Sequence, residues 1–121
     1  MPLRFPPPAR ARYRAALLRQ GKKIADQLAE ILSGARQPRH IAPLGMTGDG
    51  QRPGMRPEER LRAYLELIES RRRLLDSDDD RFGRCDQCGA DLGAAALDEM
   101  PWADICQSCA AELAHPPAGS R

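Results

Sequence analysis

The apolar residues in the first third of the chain recur with the period of a helix. Leu17, Ile24, Leu28, Ile31 and Ala35 fall on steps of three, four or seven, and Gly21 occupies the missing step. Leu18, Ala25 and Leu32 repeat every seven residues and widen the stripe. The pattern predicts a helix over 9–35 that packs on a partner helix. Ser33-Gly34 and then Pro38 are its stop signals. Gly21 costs roughly 1 kcal/mol against alanine inside a helix, and its bare backbone would let a neighbour approach closely. Pro6, Pro7 and Pro8 block a helix before residue 9, so residues 1–8 read as a disordered or polyproline lead-in.

A second stripe follows a gap. Leu61, Tyr64, Leu65, Ile68 and Leu75 share one face, with Arg72 interrupting the last step, and Leu67 and Leu74 lie beside it. Pro57 suits the first helical turn, and Glu58 and Glu59 suit the dipole there, which predicts a helix over 57–77. At 1.5 Å per residue the two helices would be roughly 40 and 30 Å long. Between them, residues 36–56 carry three prolines and four glycines and show no period. The simplest arrangement of two one-sided helices is an antiparallel hairpin with this loop at its tip. Homodimerisation through the same stripes is the competing solution, and the monomer is favoured. Asp78, Asp79 and Asp80 sit badly against the helix dipole and read as solvated.

Beyond residue 80 the helical period gives way to cysteines. All four in the chain lie in Cys85-x-x-Cys88 and Cys106-x-x-Cys109, with seventeen residues between the pairs. A two-residue spacer lets both thiolates of a pair reach one ion from a tight turn, and two pairs complete a tetrahedron. The metal ligands expected are Cys85, Cys88, Cys106 and Cys109, around one structural Zn²⁺ per chain. Gly83 and Gly89 flank the first pair, where positive φ would turn N–H groups toward sulfur. Arg81 and Arg84 are near enough in sequence to offset the charge of a Zn–Cys₄ unit. Leu92, Leu97, Met100, Trp102 and Ile105 would form a mini-core beside the metal, Trp102 serving structure. Residues 107–114 read as a short final helix, stopped by Pro116-Pro117. The expected organisation is a lead (1–8), a helical hairpin (9–77), a Cys₄ finger with its C-terminal helix (78–115) and a tail (116–121). The fold class is mostly α.

Composition agrees with a small core that needs a cross-link. Only 4% of the 121 residues are aromatic, and there are 11 prolines and 10 glycines; domains this small often depend on a metal. A closed four-thiolate site has no open position for water. No Ser/His/Asp set, phosphate-cradling loop or His-x-x-x-His pair accompanies it. The chain therefore reads as a non-enzyme without a catalytic residue. His40 and His115 are not read as ligands. The absence of a signal-like or spanning apolar run predicts a cytoplasmic protein with no membrane partner, where reduced cysteines favour metal over disulfides.

The net charge of +2 conceals an asymmetry. Residues 1–56 hold eleven Lys/Arg and three Asp/Glu, a net +8, while residues 57–121 hold eight and fourteen, a net −6. The basic half could meet nucleic acid through Arg10, Arg12, Arg14, Arg19, Lys22 and Lys23, or an acidic protein surface, or the two halves could attract each other. The acidic character of the finger half stands against direct nucleic-acid binding.

The run from Asp80 through Cys85-Asp-Gln-Cys88-Gly89, with Leu92, Leu97, Pro101 and Ala103-Asp-Ile-Cys106-Gln-Ser-Cys109, resembles the DksA/TraR family of bacterial zinc-finger proteins. The resemblance is specific over about residues 75–113 and looser over the helix before it. It implies a hairpin projecting from a four-cysteine finger, and a regulator that enters the RNA polymerase secondary channel without base-specific DNA contacts. RNA polymerase is the implied partner, and another protein partner, met through loop 36–56, is the alternative. Full-length members carry Asp-x-x-Asp-x-Ala at the hairpin tip. Here the tip loop has only Asp49, within Gly48-Asp49-Gly50.

Overall fold

Helix α1 spans Pro7–Leu32 and begins two residues earlier than the proline run suggests. Pro7 and Pro8 fill the first-turn positions, where a missing N–H leaves nothing unsatisfied and the fixed φ already suits the helix. The other end comes three residues before the expected 35, at the expected stop signal: Ser33 caps the helix and Gly34 follows at φ 80°, the left-handed turn that glycine adopts without strain. Helix α2 spans Pro57–Asp76, and its first turn carries Glu58 and Glu59. A six-residue helix α3 (Ala94–Glu99) and a final helix α4 (Gln107–Ala114) complete the order. The computed structural model describes residues 5–34 and 54–114. Residues 1–4 of the expected lead-in, Ala35, the tip loop to residue 53 with His40 and Asp49, His115 and the tail lie outside them. Among the described residues β structure is limited to one antiparallel bridge, Arg84 with Asp91. Among them, too, no helix is long and apolar enough to cross a membrane.

Helices α1 and α2 pack antiparallel. Arg10 meets Asp78, Arg14 meets Asp76, and the backbone of Gly21 lies against Ile68, so position rises on one helix as it falls on the other. The seam is Ala9, Tyr13, Leu17 and Ile24 against Leu61, Tyr64, Ile68 and Leu75, all buried, with Leu28, Ile31 and Leu65 packed beside them. The shared stripes are thus consumed within one chain. Leu18 and Leu32, expected to widen the α1 stripe, are instead 45% and 59% exposed. The interruption in the α2 stripe also falls one residue earlier than expected. Arg71, not Arg72, is the buried arginine, because position 71 continues the row that runs through Tyr64, Ile68 and Leu75.

The core does not stop at the end of the hairpin. Phe82 is 1% exposed, and its ring lies edge-on to Phe5 at 5.7 Å and tilted over Tyr13 at 6.0 Å. Leu97 from α3 is fully buried in the same cluster, with Leu92 and Trp102 packed against it. Three members of the expected mini-core therefore belong to a continuous core that reaches from α1 into the finger.

The charge asymmetry closes on itself at the base of the hairpin. Arg10 donates to the Asp78 carboxylate at 2.7 Å and to the Leu75 carbonyl at 2.8 Å. Arg14 reaches Asp76 at 3.0 Å and Arg12 reaches Asp98 at 3.3 Å. The aspartates after α2 are accordingly not free solvated charges. Asp78 adopts φ 57° and closes the helix, its N–H bonding Leu75 while the Asp79 N–H bonds Leu74. Arg10 adds a cation to that C-terminus, which offsets both the dipole and the carboxylate. Arg81 holds Asp79 through side-chain and backbone hydrogen bonds that lower its carboxyl to about 2, and Arg84 pairs with Asp80.

A β-carbon added at Gly21 would meet Ile68 at 3.5 Å and Leu65 at 4.0 Å, which is ordinary van der Waals contact. The close approach of the helices thus does not require glycine there. Gly21→Ala is expected to raise stability by about 1 kcal/mol through helix propensity, read as a higher denaturant midpoint at unchanged slope. Leu17→Ala should lower it by roughly 2–5 kcal/mol through cavity formation.

Candidate metal centre

The first cysteine pair sits on a turn that its neighbours force to be tight. The Leu92 N–H donates to the Gly83 carbonyl, the Cys85 N–H to Ala90 and the Gly89 N–H to Cys85, each at 2.9 Å. Gly83 and Gly89 both take φ 79°, the positive values expected from their places beside the pair. Cys85 and Cys88 are thereby presented from one short loop. The second pair depends on α4: Cys106 immediately precedes the helix, its carbonyl accepting from Ala110 at 2.9 Å, and Cys109 lies in its first turn. A single backbone bond, Asp86 N–H to the Asp104 carbonyl at 2.8 Å, fastens one pair to the segment leading into the other. Helix α3 fills the span between them. Its N–H at Leu97 bonds Gly93, where φ is 87°, and the Gly93 N–H is held by Asp91 at 2.9 Å.

These constraints bring the four sulfurs within 4.8 Å of one another. Cys88 and Cys106 are 3.7 Å apart, a separation at which no disulfide exists, and all four thiols are free. Four sulfurs about 2.3 Å from a central tetrahedral ion would be about 3.8 Å apart. The Cys88–Cys106 separation matches that spacing, and no two of the sulfurs are more than 4.8 Å apart. Backbone N–H groups of Gln87 and Cys109 each point at a sulfur at 3.4 Å, the arrangement that supports thiolate ligands.

The thiols also behave as a set short of positive charge. Burial works to raise Cys85, but N–H groups of Cys88, Cys106 and Gln87 outweigh it and bring that thiol down to about 6. At Cys88 the Ala90 N–H favours the thiolate, yet hydrogen bonds with Cys85 and Cys106 leave it raised. Cys109 is pushed up strongly, first by its bond to Cys106 and then by burial. One sulfur readily ionises and its neighbours then resist, because like charges cannot crowd together uncompensated. A divalent cation at the centre would remove that conflict, so these residues could hold one tetrahedral thiolate-bound metal. With four sulfurs the shell would be full, leaving no place for a reacting water.

Two arginines expected to balance the site are engaged elsewhere, Arg81 with Asp79 and Arg84 with Asp80. The cation that reaches the first cysteine pair is Arg71 of α2, whose guanidinium bonds the carboxylate of Asp86. Sequence reasoning missed it because it gave the interrupting place on the stripe to Arg72 and assigned no role to Arg71. The available signal was the 64, 68, 71, 75 row. Trp102 is half-buried against the common core, in keeping with a structural role.

This chain is similar to the RNA polymerase-binding transcription factor DksA of Haemophilus influenzae, at 40% identity over 55 residues. The match takes in 46% of this chain and 37% of that protein, so well under two thirds of the relative's length is covered. The relative's name is that of a transcription factor and not of an enzyme. No family model matches the chain, and no solved structure does. The likeness and the four clustered cysteines together support a DksA/TraR-like reading of the matched part of the chain.

Titration of the reduced chain with Co²⁺ should end at one ion per chain and give an intense thiolate-to-cobalt band with tetrahedral visible absorption. Cys88→Ser and Cys106→Ser should each weaken the band and the affinity. A silent titration, or a spectrum indifferent to both substitutions, excludes a four-sulfur ligand set.

Proposed function

We propose that this DksA/TraR-like protein is a zinc-stabilised, non-catalytic transcription regulator that contacts RNA polymerase through its helical hairpin. Cys85, Cys88, Cys106 and Cys109 hold one Zn²⁺, which fixes the finger and adds its binding free energy to folding. The observation that carries the reading is the likeness to DksA joined to an antiparallel helix pair anchored on a four-sulfur cluster. In this arrangement the metal lies at the base, and the end of the hairpin that carries Leu32 and Pro57 is the part free to reach a partner's channel. The secondary channel of polymerase is the site such a projection fits. Without an Asp-x-x-Asp-x-Ala motif in the tip loop, the effect on polymerase comes from occupying the channel and not from acidic side chains near its active centre.

Charge supports a protein partner over nucleic acid. Three of the six cations on α1, Arg10, Arg12 and Arg14, are paired with aspartates of the same chain, and Lys22 pairs with Asp26 on the same helix. Among the described residues of α1, that leaves Arg19 and Lys23 as the cations outside these pairs, a small set for releasing counterions from a phosphate backbone. Leu18 and Leu32 are exposed large apolar side chains of α1, and Leu32 lies at the end of the helix away from the cysteines, where a partner could cover it.

Immobilised polymerase core enzyme should retain the zinc-loaded protein at both about 50 and about 150 mM salt. Leu32→Glu, on an exposed position, should weaken retention at least tenfold with an unchanged helical circular dichroism signal. Failure of the unmodified protein to bind at either salt concentration would sink the proposal.

A further inference from the structure

Arg71 is an expensive residue to bury. It is 3% exposed, and among the described residues two of its donors, Nε and Nη1, have no hydrogen-bond partner. Its one anionic contact, Asp86, has a side chain that is 52% exposed, so water screens the carboxylate that should balance the guanidinium. Nothing on α2 supplies the rest: Asp76 is bonded to Arg14 and Arg72, and Glu69 makes no ion pair among the described residues. A buried cation with one half-screened partner and two idle donors is poorly satisfied by the polypeptide alone.

The missing charge has a source next door in the chain. Asp86 follows Cys85 directly and precedes Cys88 by two residues, so its bond to Arg71 sets the guanidinium beside the turn that presents two of the four sulfurs. A divalent ion held by four thiolates carries a formal charge of −2. The metal-free set carries less negative charge. We infer that Arg71 is the built-in counter-cation of the loaded metal centre and that, through Asp86, it ties metal occupancy to the docking of the finger on α2. The inference rests on the metal reading of the cysteines.

Linkage makes the effect reciprocal: if the loaded centre stabilises buried Arg71, Arg71 raises the affinity for metal. It also gives the effect a sign that packing alone would not. Removing the charge should harm the loaded protein and spare, or help, the metal-free one, where a methionine of similar reach replaces an under-compensated cation.

The test compares the unmodified chain with Arg71→Met and Arg71→Lys, using Zn²⁺ competition against a chromophoric chelator and helix unfolding followed by circular dichroism with and without Zn²⁺. Arg71→Met is expected to weaken Zn²⁺ binding by about 10- to 100-fold, the usual effect of losing an outer-shell partner. Arg71→Lys should recover part of that loss. The unfolding midpoint of Arg71→Met should fall with metal present and hold or rise without it. Equal affinities for all three proteins overturn the inference, as does an equal loss in the two variants, or a midpoint that falls alike with and without metal. The affinity ratio is decisive even where the metal-free finger does not fold. A chain that takes up no Zn²⁺ at all overturns the metal reading itself, whereas a chain that binds Zn²⁺ with an indifferent Arg71→Met overturns only the role of Arg71.

Discussion

The rest of the structure depends on the burial of Phe82. It lies between the end of α2 and the first cysteine pair, and it packs simultaneously on Phe5, Tyr13 and the hairpin core. A helix pair needs only its own stripe, and a four-sulfur cluster needs only its turns. Neither dictates an orientation relative to the other. An aromatic side chain buries a large apolar area with few rotamers to lose, so a single ring at the junction makes two small units share one core. Leu97 completes the joint from the finger side.

Electrostatics then reinforces the same joint. The cations of α1 lie next to acidic residues contributed by the end of α2 and by α3: Arg10 with Asp78, Arg14 with Asp76, Arg12 with Asp98. Most of these pairs are exposed, and each contributes little by itself. Arg10 differs, since it is shielded and also caps the Leu75 carbonyl. Their joint effect is to fix register at the base while the far end of the hairpin carries none of these interhelical pairs. That division suits a protein whose anchor and whose reaching part are opposite ends of the same helices.

Much of the fold could be read from periodicity. Both long helices were expected within three residues of their observed ends, and α4 was expected in full, because each has a stripe or a stop signal of adequate length. Helix α3 was not expected: six residues with one large apolar side chain, Leu97, give no period to detect. Tyr13 and Ala9 were missed as seam residues because the visible stripe starts at Leu17, although both lie in the expected helix. The cysteine set was legible at once from spacing. The arginine that meets the first cysteine pair was not, since nearness in sequence pointed to Arg81 and Arg84 while the fold pairs both with aspartates.

The sequence by itself determined the local matters: which segments are helical, where glycine must turn the chain, and which four side chains can share an ion. The first two follow from interactions a few residues apart, and the third from the two-residue spacer within each cysteine pair. Only the tertiary structure decided which apolar positions are buried, leaving Leu18 and Leu32 outside while drawing Phe82 and Leu97 in. It also decided that the charged halves of the chain face each other and that Arg71 meets Asp86. The physical reason is that burial and ion pairing depend on distances across the fold, and the packing of α1, α2 and the finger sets those distances between residues as far apart as Arg12 and Asp98.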